Sequence, residues 1–335
     1  MGNSVFDYED NFQKYRHIQS ALCYEDDFII ENPFVSIMIP TFKRPVVLRE
    51  AIESSLNQVE YKNYEIVVVD NDADCEFDIG SIVAQYKSSK LKYYKNKENI
   101  GMFGNWNRCV ELARGEWIVI LNDDDWLEVD FLKEWFSTHA YMECDVCSFS
   151  FYPQDPKEAI FKKNNNKLKQ KINKIKEVID NGRELNKYDF LFSSPIHGTL
   201  GIIAKKATIK DFGGFNDNYY PSADKFFWVK LIHNNCKIIR HAKKLANYRV
   251  ECNDSLNLET IKLWIEKDRI LAEQIIKHWG FPMLRKIILD IHDDARRFLY
   301  ERNGYSMGSK GGRISFIMNY FFNVCILIFQ ALKRA

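Results

Sequence analysis

The sequence predicts an α/β fold in which a mostly parallel sheet is flanked by helices and followed by a helical C-terminal region. Three observations support this. Residues 35–40, 64–70 and 116–121 are continuous apolar runs, which is typical of strands buried on both faces of a parallel sheet. Stretches with apolar residues at helical spacing lie between these runs. Residues 258–300 keep helical periodicity throughout.

The elements follow one another in a regular order from residue 35. The run VSIMIP is closed by a proline, residues 46–58 place apolar side chains at helical spacing, and YEIVVVD is rich in β-branched residues. The same pattern predicts a helix near 79–88, a strand at 91–96, a helix near 103–113 and a strand at 116–121. Farther along, we predict a helix at 129–140, strands at 145–151 and 199–206, a turn at Gly213-Gly214 and a helix at 224–234.

Composition and charge exclude several classes of protein. The 335 residues are 46% hydrophobic and 28% charged, as in folded proteins. A net charge of +1 leaves no overall field that would draw the chain onto nucleic acid. The eight cysteines are scattered, so reduced thiols in a cytoplasmic protein are expected, and the lone pair Cys144 and Cys147 lacks further zinc ligands. The N-terminus shows neither an export signal nor an acylation pattern.

Three segments lie outside the alternating pattern. Residues 1–33 have no clean period and are interpreted as an N-terminal extension, and the lysine-rich run at 162–176 as a solvated loop or helix. In the last segment, 314–332, the polar residues form one narrow stripe on a helix with basic residues at both ends: Ser315, Asn319, Asn323 and Gln330. Two interpretations stay open for this helix, namely a buried core or subunit contact, or an in-plane helix on the cytoplasmic leaflet of a membrane.

The acidic cluster Asp123, Asp124 and Asp125 directly follows a buried strand. Ligands of open α/β sheets bind at the carboxyl ends of the strands, which is where this cluster must lie. Adjoining carboxylates repel one another, so they are either freely hydrated or neutralised by a cation. Because Mg²⁺ and Mn²⁺ favour one or two carboxylates together with phosphate oxygens, the cluster suggests a diphosphate site. The alternative is an ordinary acidic loop.

A second polar strand end, Asp70-Asn71-Asp72, is expected beside this cluster in the same sheet. Such groups can hydrogen-bond the edge of a nucleobase, although an Asx turn that closes the strand is the alternative. At the end of the first strand, Pro40-Thr41-Phe42 would supply a rigid turn and an aromatic face for a base.

A resemblance to a known family rests on three stretches in this order and spacing: VSIMIPTFKR (35–44), YEIVVVDND (64–72) and NIGMFGNWNRCVELARGEWIVILNDDD (99–125). They resemble the inverting, metal-dependent glycosyltransferases of family 2, which use nucleotide sugars and carry an Asp-x-Asp motif on a GT-A fold. The resemblance covers about residues 34–130. It implies a donor nucleotide site formed by Pro40, Thr41, Phe42, Arg44, Asp70, Asn71, Asp72, Asn99, Asn105 and Asp123.

The resemblance also implies a Mn²⁺ or Mg²⁺ cofactor. The second Asp of the motif, which binds the metal in the family, corresponds to Asp124, whereas the first corresponds to Asn122. Asp125 or Asp123 is therefore expected to supply the remaining charge. A histidine that often completes the site in the family is replaced by Glu251, an oxygen ligand.

Weaker similarity continues downstream. Asp224, before an aromatic-rich helix, corresponds to the catalytic base of the family, with helix capping as the alternative. His197 lies where the family lines its acceptor side, although a lone histidine is as often structural. Arg249 belongs to a Tyr-Arg pair and is a candidate contact for the diphosphate.

The resulting prediction is a transferase that moves a sugar from a nucleotide-diphosphate donor, expected to be a UDP-sugar, to a glycan hydroxyl with inversion. A lipid-diphosphate-linked acceptor, bacterial surface polysaccharide synthesis and a peripheral position on the inner membrane face are expected by family analogy. The predicted regions are the extension 1–33, a GT-A domain at 34–255 (nucleotide-sugar side 34–125, acceptor side 126–255) and a helical region at 256–335 with a membrane-associating helix at 313–335. The alternatives are an aspartate-dependent phosphohydrolase and a non-catalytic glycan-binding protein at the membrane.

Overall fold

The fold was determined from a computed structural model of the chain. It describes residues 4–27, 30–154, 178, 181–250, 257–277, 281–302, 305 and 307–334, with only the backbone described at 192, 323, 324 and 326–334. The lysine-rich run at 162–176 and Glu251 lie outside the described residues.

One ten-stranded sheet runs through the described residues, in the spatial order β1-β4-β3-β2-β5-β9-β7-β10-β6, with β8 beside β10. The strands are β1 (Ser20–Glu25), β2 (Val35–Thr41), β3 (Tyr64–Asp70), β4 (Leu91–Asn96), β5 (Trp117–Ile120), β6 (Trp126–Leu127), β7 (Val146–Gln154), β8 (Arg183–Glu184), β9 (Ile202–Lys205) and β10 (Ile238–Arg249).

One half of the sheet is built on four parallel strands. Strands β4, β3, β2 and β5 run in the same direction, with Thr41 in register with Asp70. Every residue of β2 and β3 is buried, because helices cover both faces. The carboxyl ends of β2, β3 and β5 therefore meet at one edge, as the sequence predicts.

The other half of the sheet is mixed. Strand β9 pairs antiparallel with both β5 and β7, whereas β7 and β10 are parallel, with Ile238 opposite Val146 and Arg249 opposite Gln154. The long strand β10 is not predicted from the sequence, because its centre, RHAKK, carries four basic side chains. It extends the sheet as far as the acidic cluster.

The helices cover the sheet on both faces and then continue as a C-terminal group. They are α1 (Pro45–Leu56), α2 (Ile79–Ala84), α3 (Gly101–Leu112), α4 (Phe131–Ser137), α5 (Asp189–Phe192), α6 (Lys206–Asp211), α7 (Ala223–His233), α8 (Leu258–Ile276), α9 (Pro282–Glu301) and α10 (Gly312–Arg334). Two large apolar cores result, one on each face of the sheet. The predicted helix at 258–300 is two helices, and the second begins at Pro282, where proline fits the first turn.

The N-terminal segment is packed onto the domain. Strand β1 pairs antiparallel with β4 at the edge of the sheet. Asn11 donates its backbone N–H to the carbonyl of Gly213 over 2.9 Å. Gly213 has a φ of 79°, and a Cβ there would lie 1.9 Å from the carbonyl oxygen of Glu9. The predicted turn at Gly213-Gly214 therefore requires glycine for close approach as well as for conformation.

Helix α10 begins with Ser315, the first residue of the polar stripe, packed toward the protein. Ser315 is only 9% exposed, whereas Ile314, Ile317 and Phe321 are 68%, 56% and 61% exposed. Phe316 packs against Phe298 of α9 at a ring distance of 5.9 Å. The outward face of α10 is consequently apolar. No helix in the described part of the chain combines the length and apolar character that a membrane span needs.

Candidate active site

The acidic cluster lies at the carboxyl end of β5, beside the end of β2. The Thr41 hydroxyl donates to Asp123 Oδ2 over 2.7 Å, and the Phe42 backbone N–H donates to the same oxygen over 3.4 Å. Arg44 Nη1 lies 2.7 Å from Asp124 Oδ2 and 3.6 Å from Asp123 Oδ1. The TFKR sequence after β2 thus supplies hydroxyl, amide and guanidinium donors to two of the three carboxylates.

Burial changes the acidity of the cluster. Burial raises the pKa of Asp123 to about 6, although the hydrogen bond from Thr41 favours the ionised form and lowers the pKa. Burial, followed by the charge of Asp124, raises the pKa of Asp125 to about 8. Three adjacent carboxylates with little water access repel one another, and any added cation lowers that cost.

Arg249 reaches the same cluster from the end of β10. Its backbone N–H donates to Asp125 Oδ1 over 3.1 Å, and its Nε donates to the carbonyl of Asp124 over 3.1 Å. The guanidinium also forms an ion pair with Glu50 and lies 5.0 Å from the ring of Trp126. Residues 125 positions apart are brought together because the end of β10 pairs with β6, which directly follows the acidic cluster.

At the end of β3, Asp70 and Asp72 are both fully buried. The Tyr93 hydroxyl donates to Asp70 Oδ2 over 2.8 Å, and the Asp72 N–H donates to Asp70 Oδ1 over 2.9 Å. Asp70 therefore stabilises the turn that follows β3. Asp72 Oδ2 accepts from the Glu76 N–H over 2.8 Å. In the described structure, Asp72 Oδ1 is a buried acceptor without a hydrogen-bond donor, and Lys43 Nζ lies 3.8 Å from it.

The asparagines of this region form a network of amide hydrogen bonds. Asn71 Nδ2 donates to Asn99 Oδ1 over 2.7 Å, and Asn96 Nδ2 donates to Asn71 Oδ1 over 3.1 Å and to Asn105 Oδ1 over 2.9 Å. Asn105 in turn donates to the carbonyl of Val69. Asn99 and Asn105, which are among the residues predicted to bind the donor, hold the β3 end against the start of α3.

Two residues of this edge are not predicted from the sequence. Asn96 joins the amide network, and Lys43, with a φ of 57°, reaches Glu76 over 2.6 Å. Lys43 could have been predicted as a site residue, because it is a basic residue in the TFKR turn after a buried strand. Asn96 could not, because it ends a strand that carries both polar and apolar residues, where one more polar side chain does not stand out.

Asp224 lies in the first turn of α7, where the helix dipole favours a carboxylate. The surrounding protein desolvates Asp224 and raises its pKa to about 6. The backbone N–H groups of the first turn and the charge of Lys225 act in the opposite direction and lower the pKa, but by less. Lys225 is held by Asp268 of α8, with a Nζ–Oδ1 distance of 2.7 Å. Arg296 of α9 binds the other oxygen of Asp268 at 3.3 Å.

His197 lies in a recess lined by β7, the 195–200 loop and β10, next to α7. The Trp228 indole N–H donates to the carbonyl of Gly198 over 3.0 Å and so fixes this loop. The His197 ring keeps solvent access, but desolvation inside the recess and the cations Arg240 and Arg296 lower its pKa to about 4. The imidazole is therefore neutral at physiological pH.

The donor set at the cluster suits a hard divalent cation shared with a ligand. No group of three or more His, Cys, Asp or Glu side chains capable of holding a metal is found in the described residues. Asp124 and its neighbours provide the one or two carboxylates that Mg²⁺ or Mn²⁺ uses when phosphate oxygens complete the shell. The fit therefore requires the diphosphate as a further ligand.

The fold and this acidic edge define a glycosyltransferase of the GT-A type. The chain belongs to glycosyl transferase family 2, whose family model matches residues 36–207. Over 233 residues it is 28% identical to a GalNAc(5)-diNAcBac-PP-undecaprenol beta-1,3-glucosyltransferase of Campylobacter jejuni, covering 69% of each chain. The predicted family and fold class are thereby confirmed.

Solved structures of low sequence identity share the fold. S. aureus TarS 1–349 in complex with UDP-GlcNAc superposes with a TM-score of 0.59 and 19% identity over 82% of this chain and 76% of that one. The mannosyltransferase PcManGT of Pyrobaculum calidifontis, in complex with GDP-Man and Mn²⁺, gives a TM-score of 0.54 and 15% identity over 96% and 92%.

Proposed function

We propose that the protein transfers a sugar from a UDP-sugar to a glycan hydroxyl with inversion at the anomeric carbon. The observation that carries this proposal is the gathering of Asp123, Asp124 and Asp125 with the cations Arg44 and Arg249 at the carboxyl ends of the parallel strands. This arrangement suits a diphosphate and a divalent cation bound together.

The base of the nucleotide would bind at the end of β3. The unsatisfied Oδ1 of buried Asp72 gains a partner if a ligand N–H approaches it, as the imide N–H of uracil would. Phe42, 42% exposed after β2, offers an aromatic face nearby. Asn71 and the amide network keep this edge rigid, and rigid support lowers the cost of binding.

The metal would bind through Asp124, with Asp125 or Asp123 as the second carboxylate and Mn²⁺ or Mg²⁺ as the ion. When bound, the ion stabilises negative charge on the departing diphosphate. Arg44 now occupies one oxygen of Asp124 and would then contact the diphosphate instead. Arg249 contributes a second guanidinium on the other side.

Asp224 would act as the general base. It takes the proton from the acceptor hydroxyl while the hydroxyl oxygen attacks the anomeric carbon and the bond from that carbon to the diphosphate oxygen breaks. The products are a new glycosidic bond, a nucleoside diphosphate and a protonated Asp224. A carboxyl with a pKa of about 6 is ionised at neutral pH and still basic enough to help.

The acceptor is proposed to be a lipid-diphosphate-linked glycan of a bacterial surface polysaccharide. The printed name of the Campylobacter relative, which includes PP-undecaprenol, supports this class. The outward apolar face of α10, with Ile317 and Phe321 exposed and Lys310 and Arg313 at its start, would lie on the anionic inner leaflet.

Two other functions are less well supported. In a phosphohydrolase Asp70 would be the nucleophile, but both of its oxygens accept hydrogen bonds inside the protein and it is fully buried. A non-catalytic glycan-binding protein would not need the cluster of carboxylates and guanidiniums.

The proposal is tested by screening nucleotide sugars for metal-dependent release of the nucleoside diphosphate. Asp124→Asn should lower this activity by at least about a hundredfold, because one ligand charge is lost while the shape is kept. Asp130→Asn, beyond β6 at the start of α4 and outside the cluster, is the control and should retain activity. Activity of Asp124→Asn within about tenfold of the parent, at saturating Mn²⁺ and Mg²⁺, would rule out this assignment.

A further inference from the structure

We infer that the first two turns of α9 form a second surface that binds an anionic lipid bilayer; this inference rests on the membrane position in the proposed function and assigns part of it to another element. Four large apolar side chains lie exposed there: Phe281, Met283, Leu284 and Ile287, at 71%, 78%, 45% and 45%. A contiguous apolar patch on the surface of a soluble domain marks a site of contact with a partner or a membrane.

The patch lies on the outward side of α9. The helix buries Ile288 and Leu289, which are only 6% and 8% exposed. At 3.6 residues per turn Met283 and Ile287 lie one above the other, on the side opposite to Leu289. The start of α9 therefore presents apolar side chains to the solvent while its other side is held in the core.

Farther along α9, the same side carries helix α10. Asp294 and Phe298 follow Ile287 by about two and three turns, so all three lie on one side of the helix. Gly311, directly before α10, donates its backbone N–H to Asp294 Oδ2 over 2.7 Å. Phe298 packs against Phe316 of α10 at a ring distance of 5.9 Å. The start of α10 thus lies on the side to which Ile287 points, so one bilayer can contact both helices.

The charge around the patch is positive. Lys277 and Lys286 are exposed, and in the part of the chain that the structure describes neither has a carboxylate within ion-pair distance. Arg285 Nη1 donates to the carbonyl of Lys277 over 2.6 Å, which ties the end of α8 to the start of α9 through a neutral acceptor. Apolar side chains flanked by lysines are the composition that binds the surface of an anionic bilayer.

No carboxylate competes with lipid headgroups at this end of α9. Residues 281–289 contain no Asp or Glu. The acids that come next on α8 and α9 are Glu273 and Asp290, and each lies 3.4 Å from Arg269. A symmetric pair of chains in contact through this surface would bring its lysines together, and that repulsion disfavours a second copy as the occupant. An anionic bilayer instead neutralises them.

The surfaces of α9 and α10 would act together. One apolar or basic contact gives only marginal membrane binding, and stable attachment takes two. Two contacts carried by one chain reinforce each other, because the second forms at a high effective concentration once the first has formed. Loss of either surface should therefore weaken attachment of the whole chain.

The test measures flotation of the whole chain with vesicles at low ionic strength, without donor or metal. Vesicles of phosphatidylglycerol and phosphatidylcholine are compared with vesicles of phosphatidylcholine alone. Met283→Gln/Ile287→Gln should weaken binding to the anionic vesicles about tenfold, because both side chains lose their burial in lipid. Lys286→Gln should weaken it roughly fivefold and leave binding to the neutral vesicles unchanged.

Matched variants locate the binding. Met142→Gln replaces a methionine that is 68% exposed elsewhere on the surface. Lys262→Gln removes the same charge as Lys286→Gln, but from an exposed lysine of α8 that pairs with Glu259. Both controls should bind as the parent does. Light scattering without lipid should give the same oligomeric state for the parent and for Met283→Gln/Ile287→Gln.

Several outcomes would overturn the inference. Parent-like flotation of Met283→Gln/Ile287→Gln beside weakened flotation of Ile317→Gln/Phe321→Gln would leave the membrane contact to α10 alone. A parent that floats with neither vesicle, a changed oligomeric state of the α9 variant, or equal weakening in the controls would also contradict it. Because flotation needs no donor, and the α9 variants should release nucleoside diphosphate at the parent's rate, failure of the transferase proposal is distinguishable from failure of this inference.

Discussion

Asp224 is the residue whose proposed chemistry depends most on its surroundings. Asp224→Asn keeps the shape and removes the base, so kcat should fall by about a hundredfold or more while nucleotide affinity changes little. Turnover and calorimetry separate the two quantities. Asp217→Asn, on the preceding turn and paired with Lys14, serves as the control. A variant that loses nucleotide binding instead would make Asp224 part of the donor site.

The raised pKa of Asp224 also predicts a pH dependence. The carboxylate is the active form of a base, so kcat/KM should fall about tenfold per unit as the pH drops below about 6 and level off above it. The charged groups acting on Asp224 are Lys225, which lowers its pKa, and Asp268, which raises it. A flat profile down to pH 5 would contradict its role as the base.

Single residues could be predicted where they follow a buried strand. Asp123 and its neighbours were found because a continuous apolar run ends immediately before them. The burial of Asn105 could not be predicted, because its amide is held by Asn96 at the end of β4, a strand that carries both polar and apolar residues. Hydrogen-bonding networks between strand ends leave no periodic signal in the sequence.

At the level of elements, the buried pair Lys225–Asp268 joins α7 to α8, and Arg296 adds α9. The two side chains of the pair are only 8% and 12% exposed. Asp268→Asn leaves a buried ammonium without its counter-charge, so the free energy of unfolding should drop by about 3–5 kcal/mol. Urea unfolding measures this drop. Lys262→Gln, which removes an exposed pair on α8, should change it by less than about 0.5 kcal/mol.

The same pair predicts how stability depends on pH. The cations Lys225 and Arg296, with His292 beside them, hold the pKa of Asp268 down to about 2 against the effect of burial. A depressed carboxyl pKa stabilises the fold above the unfolded value, near 4, and that contribution is lost as the pH falls toward 2. The parent should lose this contribution in acid unfolding, whereas Asp268→Asn should not. Identical acid sensitivity of the two proteins would exclude the ion pair as a source of stability.

Elements with a uniform environment were predicted well, and elements with a mixed one were not. Strands β3 and β4 have the predicted bounds. Every residue of β3 and most of β4 is buried, so each strand appears in the sequence as a run that begins and ends where the burial does. Strand β1 was missed because its exposed, polar edge position resembles a loop. Strand β10 was missed because basic side chains interrupt its centre and its pairing with β7 joins segments about ninety residues apart.

Across the whole molecule, the donor edge, the proposed base and the C-terminal helices are connected through one sheet and its helical layers. The net charge of +1 leaves no overall attraction to an anionic membrane. The proposed membrane contact would therefore depend on a local surface. The first turns of helix α10 offer one, because Ser315 packs inward while Ile314, Ile317 and Phe321 are exposed.

That orientation predicts binding to lipid vesicles. Full burial of an exposed Ile or Phe side chain contributes about 1.5–3 kcal/mol. Ile317 and Phe321 are 56% and 61% exposed and would each gain roughly half of that, so Ile317→Gln/Phe321→Gln should weaken flotation with anionic vesicles by at least about tenfold. Met142→Gln, 68% exposed on another face, is the control and should bind as the parent does. Deleting 313–335 should abolish binding and raise KM for a long-chain lipid acceptor, while activity on a short soluble acceptor survives. If the parent never binds vesicles and the deletion changes the oligomeric state instead, α10 is a subunit contact.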